Sequence, residues 1–260
     1  RKRMFMLSVL LMAVPTLLMG LLPTHASIGI AAPLLLLLLR ILQGAAVGGE
    51  VPGAWVFVSE HVPPSRIGLA CGTLTAGLTF GILLGSLVAT AVNSAWTPNE
   101  VLDWAWRIPF ILGGLFGMLA VWLRRYLDET PVFEEMRRRR ELVNGLPLKV
   151  VLQGHWGAVI RTMLITWMLT AGIVVVILMT PTLVQRLFAI APATAAQASS
   201  LATFSLCIGC VLYGMAVDRF GVNRVLVAGA IGLALATAGL YRTLETAPAH
   251  FTIAYTITGL

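Results

Sequence analysis

Arg40, Gln43 and Glu50 lie inside the apolar run PLLLLLLRILQGAAVGGEVPGAWVFVSEHV at residues 33–60. A charged or amide side chain at that depth is costly in lipid unless it faces a protein interior or a watery cavity. On a helix turning about 100° per residue the three fall within about 80° of one another and share one face. A rise of about 1.5 Å per residue puts Arg40 roughly 12 Å beyond Ala32, and Glu50 roughly 15 Å further on. Such a stripe suits transport chemistry: the guanidinium can grip a carboxylate solute through paired hydrogen bonds, and the glutamate can carry a proton. It equally suits a brace, in which Arg40 holds backbone carbonyls or an acidic group on another helix.

Other polar side chains sit where they could serve the same cavity. Thr162, Thr166 and Thr170 recur every fourth residue beside Trp167, and Gln197, Ser200 and Thr203 open the next apolar stretch. Threonines of a membrane helix either face a cavity or bond their own backbone, and the spacing leaves both open. Arg107 stands with Trp104 and Trp106 at a span end, as an interfacial anchor would. Charges cluster at other span ends: Glu60 with Arg66, Asp128 and Glu129 after Arg124 and Arg125, and Asp218 before Arg219 and Arg224. Exposed pairs of this kind add only about 0–1 kcal/mol to stability. They suit a switch that forms in one conformation and breaks in another. Gly44, Gly48 and Gly49, with Gly77, Gly81 and Gly85, have the spacing of close helix packing.

The elements that must hold these residues are membrane helices. Apolar residues make up 58% of the chain and charged ones 11%, against about a quarter charged in soluble domains, and mean hydropathy is +0.90. Runs of spanning length, about 17 to 25 residues, are predicted at 4–22, 32–60, 69–92, 107–126, 157–181, 199–217 and 225–241. An eighth begins near His250.

The net charge of +7 does not call for a nucleic-acid partner, because its placement is topological. Thirteen of the eighteen Lys and Arg fall in every second gap: Arg1, Lys2, Arg3, Arg66, Arg124, Arg125, Arg137–Arg140, Lys149, Arg219 and Arg224. The positive-inside rule makes those gaps cytoplasmic and starts the chain in the cytoplasm. Cys71, Cys207 and Cys210 lie in apolar segments and are expected as packing residues rather than a disulfide framework. Scattered histidines without a metal-ligand motif, and the lack of a phosphate-binding loop, exclude the common metalloenzyme and ATP-driven classes. No cofactor or metal is expected, and no enzyme activity.

The strongly charged stretch 124–156, broken by Pro131, Gly145 and Pro147, divides the chain and reads as a linker between two bundles. The basic turn DRFGVNR at 218–224 stands to its following helix as the opening RKR stands to its own, which suggests a six-helix repeat of the kind seen in secondary transporters.

RILQG at 40–44, GGE at 48–50, SEHVPPSRIG at 59–68, WRIPF at 106–110, LDETPVF at 127–133 and DRFG at 218–221 together resemble the signatures of the major facilitator superfamily. More narrowly they are similar to its metabolite:H+ symporter branch, permeases for 2-oxoglutarate, citrate, shikimate and proline or betaine. The resemblance implies an all-α polytopic membrane protein, a fragment of a twelve-helix fold made of two six-helix halves. Residues 1–126 would supply helices three to six, 127–155 the cytoplasmic linker, and 156–260 helices seven to nine and the start of ten. It implies a monomer in the bacterial inner membrane that moves a small organic acid with protons by alternating access. A zwitterionic osmolyte symporter or a drug or metabolite efflux carrier is the alternative. Arg40, Gln43, Glu50, Arg107, Thr166, Trp167 and Thr170 would then bind substrate or couple protons. Glu60, Arg66, Glu129, Asp218 and Arg219 would gate the cytoplasmic side. Pro52 and Trp55 depart from the aromatic and small residues that follow the glutamate in many relatives, so the substrate does not carry over.

Overall fold

A computed structural model describes residues 2–124, 126, 135, 138, 139, 151, 154–188, 192–246 and 250–260. These residues are helical almost throughout. The principal helices are α1 (Lys2–Leu21), α2 (Ala31–His61), α3 (Ile67–Ala95), α4 (Arg107–Arg124), α5 (Trp156–Gly172), α6 (Thr180–Leu187), α7 (Pro192–Phe220), α8 (Val222–Thr246) and α9 (Phe251–Gly259). A π-helical segment, Ile173–Met179, joins α5 to α6. Among the described residues six helical stretches are long and apolar enough to cross a membrane, and α1 is a shorter apolar helix. Several outrun their predicted limits: α7 has 29 residues where 199–217 was expected.

Lipid as solvent explains two features of these helices. Leu34 to Leu38 are 41–60% exposed and Trp167 is 73% exposed, an apolar surface that water would not tolerate over such an area. Backbone and hydroxyl groups must be satisfied within the helix. Thr73, Thr75, Thr90, Ser200, Thr203, Thr243 and Thr256 accordingly donate to the carbonyl four residues back. Between α3 and α4 the short turn Pro98–Glu100 is closed by a capping box. The Thr97 amide and hydroxyl both donate to the Glu100 carboxylate at 2.8 Å, which holds its pKa below the ordinary glutamate value.

The chain forms two compact units, residues 1–63 with 84–134, and 64–83 with 135–260. In the first, α1 packs against both α4 and α2. Its contact with α4 is antiparallel and made by small residues: a methyl added at Gly114 would stand 2.7 Å from Leu17 Cβ, and one at Gly117 2.6 Å from Ala13 Cβ. Replacing Gly114 with valine is therefore expected to destabilise the protein by about 1–3 kcal/mol. Gly113→Ala, whose methyl meets only Thr16 Cγ2 at 3.4 Å, should be nearly neutral. Thermal unfolding of the two variants in detergent checks the pair.

In the second unit α6, α7, α8 and α9 surround a core of Val184, Ala198, Ala202, Leu240, Leu244, Phe251 and Tyr255. Phe251 and Tyr255 stack with centroids 5.4 Å apart. The opening turns of α3 lie against the end of α7, where a methyl at Gly72 would meet the Cys210 carbonyl oxygen at 2.5 Å. The glycines singled out for close packing behave differently. Within their own units, a methyl at Gly44, Gly48, Gly49, Gly77, Gly81 or Gly85 would meet nothing within 4 Å. Spacing alone cannot tell a glycine that admits a neighbouring backbone from one on an open face. Most of the expected linker, including Asp128 and Glu129, lies outside the described residues.

Candidate functional site

The Leu run 34–39 is made of good helix formers, and it carries Arg40, the tenth residue of α2, well inside an unbroken helical stretch. Arg40 is exposed and donates from Nη1 to Gln43 Oε1 at 3.3 Å. Gln43 in turn donates from Nε2 to Thr16 Oγ1 at 2.6 Å, and the Thr16 hydroxyl donates to the Met12 carbonyl at 2.6 Å. A relay of hydrogen bonds thus runs from the guanidinium to the backbone of α1. The Gln43 amide is fixed by a neighbouring helix, and it fixes one edge of the Arg40 fork. No described carboxylate lies within ion-pair distance of Arg40.

Glu50 is engaged elsewhere. Its Oε1 lies 2.7 Å from Nη2 of Arg124, with the two side chains 15% and 27% exposed. The helical face shared by Arg40, Gln43 and Glu50 therefore splits between two neighbours: Gln43 meets α1 and Glu50 meets α4. Two residues beyond Glu50, Pro52 lacks the N–H that would bond the Gly48 carbonyl.

Arg107 at the start of α4 is half-buried and spans the first unit. Nη2 donates to the Leu22 carbonyl at 3.2 Å, just past the end of α1, and Nη1 donates to the Asp103 carbonyl at 3.1 Å. Its guanidinium lies 4.6 Å over the Trp106 ring. The arginine satisfies a carbonyl that the end of a helix leaves without an internal partner.

In the second unit Asp218 caps a helix. Its Oδ1 accepts from the Gly68 amide at 2.6 Å and its Oδ2 from the Leu69 amide at 2.8 Å. Both amides belong to the first turn of α3, where backbone N–H groups have no partner within the helix and the dipole favours an anion. Small residues permit the approach. A methyl at Gly68 would stand 2.5 Å from the Gly214 carbonyl oxygen and 2.7 Å from the Asp218 carboxylate itself. Arg219 is exposed, its guanidinium 5.5 Å over Phe220. Glu60 is half-buried near the end of α2, and Arg66 is exposed at the close of the 3-10 turn Pro64–Arg66.

In α5, Val151, His155, Thr162, Thr166, Trp167 and Thr170 line one open depression. Its lining comes from a single helix and the residues just before it, and one helix cannot enclose a solute. Thr162 bonds the Ala158 carbonyl at 2.9 Å. Cys71, Cys207 and Cys210 are free, and Cys207 Sγ lies 3.2 Å from the Thr79 hydroxyl. No group of metal-ligating side chains occurs among the described residues.

Sequence reasoning did not name the partners that these side chains meet. Thr16 beneath Gln43, Arg124 beside Glu50, the Leu22 carbonyl under Arg107 and the α3 amides under Asp218 all come from other helices. For Asp218 a signal existed, since PPS at 63–65 announces a helix start whose free amides need an acceptor.

Membrane-length helices with exposed apolar side chains define a multi-pass membrane protein. The chain belongs to the major facilitator superfamily, whose family model matches residues 1–260. That family comprises transporters rather than enzymes. The chain is 35% identical over 188 residues to a proline/betaine transporter of Salmonella typhimurium, covering 65% of this chain and 38% of that protein. It is 31% identical over 238 residues to a citrate-proton symporter of Klebsiella pneumoniae, covering 92% and 53%. These relatives mark the metabolite:H+ symporter branch. The chain spans about half or less of their length. The fold matches the xylose transporter XylE from E. coli in its partially occluded inward-open conformation, with TM-score 0.66 and 17% identity. That match covers all of this chain and 66% of that one.

Proposed function

We propose that this chain is part of a secondary active transporter that moves a small organic acid together with protons by alternating access. The observation that carries the reading is Arg40: a guanidinium at the tenth residue of a membrane-length helix, fixed on one edge by the Gln43–Thr16 relay and without an ion-pair partner among the described residues. Such a fork is preorganised for a carboxylate. The names of the relatives, citrate and proline/betaine, both denote carboxylate-bearing solutes, and they support an anionic group as the part recognised. Thr166, Trp167 and Thr170 are proposed to contact the substrate once α5 is covered. Arg107 joins this reading as the residue that fixes the outer ends of α1 and α4. The units 1–126, 127–155 and 156–260 are proposed as amino-terminal bundle, cytoplasmic linker and carboxyl-terminal bundle of a monomer in the inner membrane, with residue 1 cytoplasmic.

The Asp218 cap gives the cycle a discrete cytoplasmic latch. Two charge-assisted bonds at the start of α3 hold it against the end of α7 in this conformation, and their loss would release the pair as rigid bodies. Glu60, Arg66, Glu129 and Arg219 are proposed to act around that latch.

Uptake of labelled citrate, a dicarboxylate and betaine into proteoliposomes containing the complete transporter, under an imposed pH gradient, tests the reading. Concentrative uptake of a carboxylic acid that a protonophore abolishes is expected. Uptake indifferent to the gradient would overturn proton coupling, and a preference for betaine over every acid would favour the osmolyte carrier.

A further inference from the structure

We infer that Thr16 of α1 is a positioning residue for Arg40: through Gln43 it sets the direction of a one-way hydrogen-bond relay, and the relay fixes the plane of the guanidinium that meets the acid. The inference rests on the transporter reading above and adds to it a residue outside α2. All the groups of the relay lie in the first unit. Its two ends have fixed chemistry, since the Arg40 guanidinium only donates and the Met12 carbonyl only accepts. Between them Gln43 Oε1 accepts from Arg40 Nη1 at 3.3 Å, and Gln43 Nε2 donates to Thr16 Oγ1 at 2.6 Å. The single proton of the Thr16 hydroxyl goes to the Met12 carbonyl at 2.6 Å. Toward Gln43 the hydroxyl therefore only accepts, so the amide turns its NH2 to Thr16 and its oxygen to Arg40. A flipped amide would set two donors against each other at Arg40 and would draw the Thr16 proton away from Met12.

The base of the relay is stiff and its top is not. Thr16 and Gln43 are half-buried, whereas Arg40 is exposed. Threonine branches at Cβ, so its hydroxyl and its methyl turn together. The hydroxyl is tied to its own helix, and the methyl faces α4, where a Cβ added at Gly113 would meet Thr16 Cγ2 at 3.4 Å. Thr16 thus stands between two neighbours, on a helix that packs against both α2 and α4. The described hold on Arg40 is the single 3.3 Å bond to Gln43. That bond orients the guanidinium only as well as Gln43 is itself held, and Gln43 is held by Thr16. Because a guanidinium is planar, holding one nitrogen constrains the plane in which it offers a carboxylate two parallel bonds. Thr16→Val keeps the branched shape against α4 but removes the acceptor, which leaves the Gln43 amide free to turn.

Thr16→Val, Thr16→Ser, Arg40→Ala and the double variant of Thr16→Val with Arg40→Ala would be made in the complete transporter. The first readout needs no substrate. With nitrogen-15 arginine and the transporter in nanodiscs, the Arg40 side chain is the NMR signal that Arg40→Ala removes. Its Nη protons are expected to be inequivalent in the parent, as in a guanidinium whose rotation is hindered, to merge in Thr16→Val and to stay apart in Thr16→Ser. The second readout is uptake of labelled citrate, a dicarboxylate and betaine. For the acid transported, Thr16→Val should raise KM by about ten-fold and change the maximal rate by less than about two-fold, since orientation at binding is what it removes. Thr16→Ser keeps the hydroxyl and should stay within about two-fold of the parent. In the Arg40→Ala background Thr16→Val should add nothing further, because the two residues act as one unit. Nη protons already equivalent in the parent, or still apart in Thr16→Val, would overturn the inference. So would an unchanged KM, or a Thr16→Val loss of equal size in both backgrounds, which is how a residue that only packs α1 would behave. Should Thr16→Val not fold, Thr16→Ala, which adds no bulk, is judged by the same readouts. If the parent takes up no acid, the transport reading fails, while the Nη signals still judge whether Thr16 holds Arg40.

Discussion

Arg40→Ala is expected to lower uptake of an organic acid by about 100-fold, the equivalent of roughly 3 kcal/mol for a charge-assisted pair that loses one member. The fold should survive. The single described bond that is lost, from Arg40 to Gln43, is 3.3 Å long and exposed, and Gln43 keeps its 2.6 Å bond to Thr16. The loss therefore belongs to recognition, and it should be read as uptake rate over substrate concentration against an unchanged unfolding midpoint. Arg40→Lys keeps the charge but not the planar fork, so it should fall between parent and alanine variant. A brace would behave differently: Arg40→Ala would then lower the unfolding midpoint and depress transport of every solute alike.

The second large effect is expected at Asp218. Replacing it with alanine leaves the Gly68 and Leu69 amides without their acceptor at the start of α3, a loss of about 2–4 kcal/mol for two bonds to a charged group. Asn keeps one good acceptor without the charge, so Asp218→Asn should lose roughly half as much. Hydrogen exchange at the two amides is the local readout. It should speed up strongly in the alanine variant, while the capping box at Thr97 and Glu100, remote in sequence from α3's opening turn, is unaffected. Unchanged exchange at Gly68 and Leu69 would remove the latch from the proposed cycle.

The contrast between Asp218 and Glu50 shows how far the sequence could be read. Helices came through clearly because lipid demands long apolar runs, and alternating basic gaps counted them. The family was legible because six short motifs occur in order along the chain. Partners were not legible, because each is set by how one helix lies against another. Asp218 was expected to answer to Arg219 and Arg224 close by in sequence, whereas it caps amides 149 and 150 residues away. Arg124 was grouped with Asp128 and Glu129 at a helix end, and among the described residues it also meets Glu50 on α2. The glycines divide for the same reason: Gly114 and Gly72 sit where another helix of their own unit passes, and Gly44 and Gly81 meet no described helix of theirs. Periodicity gives the face of a helix but not what that face meets.

One physical account joins these observations. A polar stripe inside lipid costs free energy, and the fold offsets that cost by giving each member a designated neighbour: α1 for Gln43 and α4 for Glu50. Arg40 alone keeps most of its donors open among the described residues. That is the arrangement expected of a recognition residue on a rigid support.

The most direct measurement is the proton flux that accompanies substrate. Vesicles of the complete transporter loaded with a pH-reporting dye, with no gradient imposed, would be given labelled citrate or a labelled dicarboxylate. The account predicts acidification of the lumen on addition of acid substrate to the parent protein, and its loss in Arg40→Ala. Labelled substrate entering without any change in internal pH would contradict it.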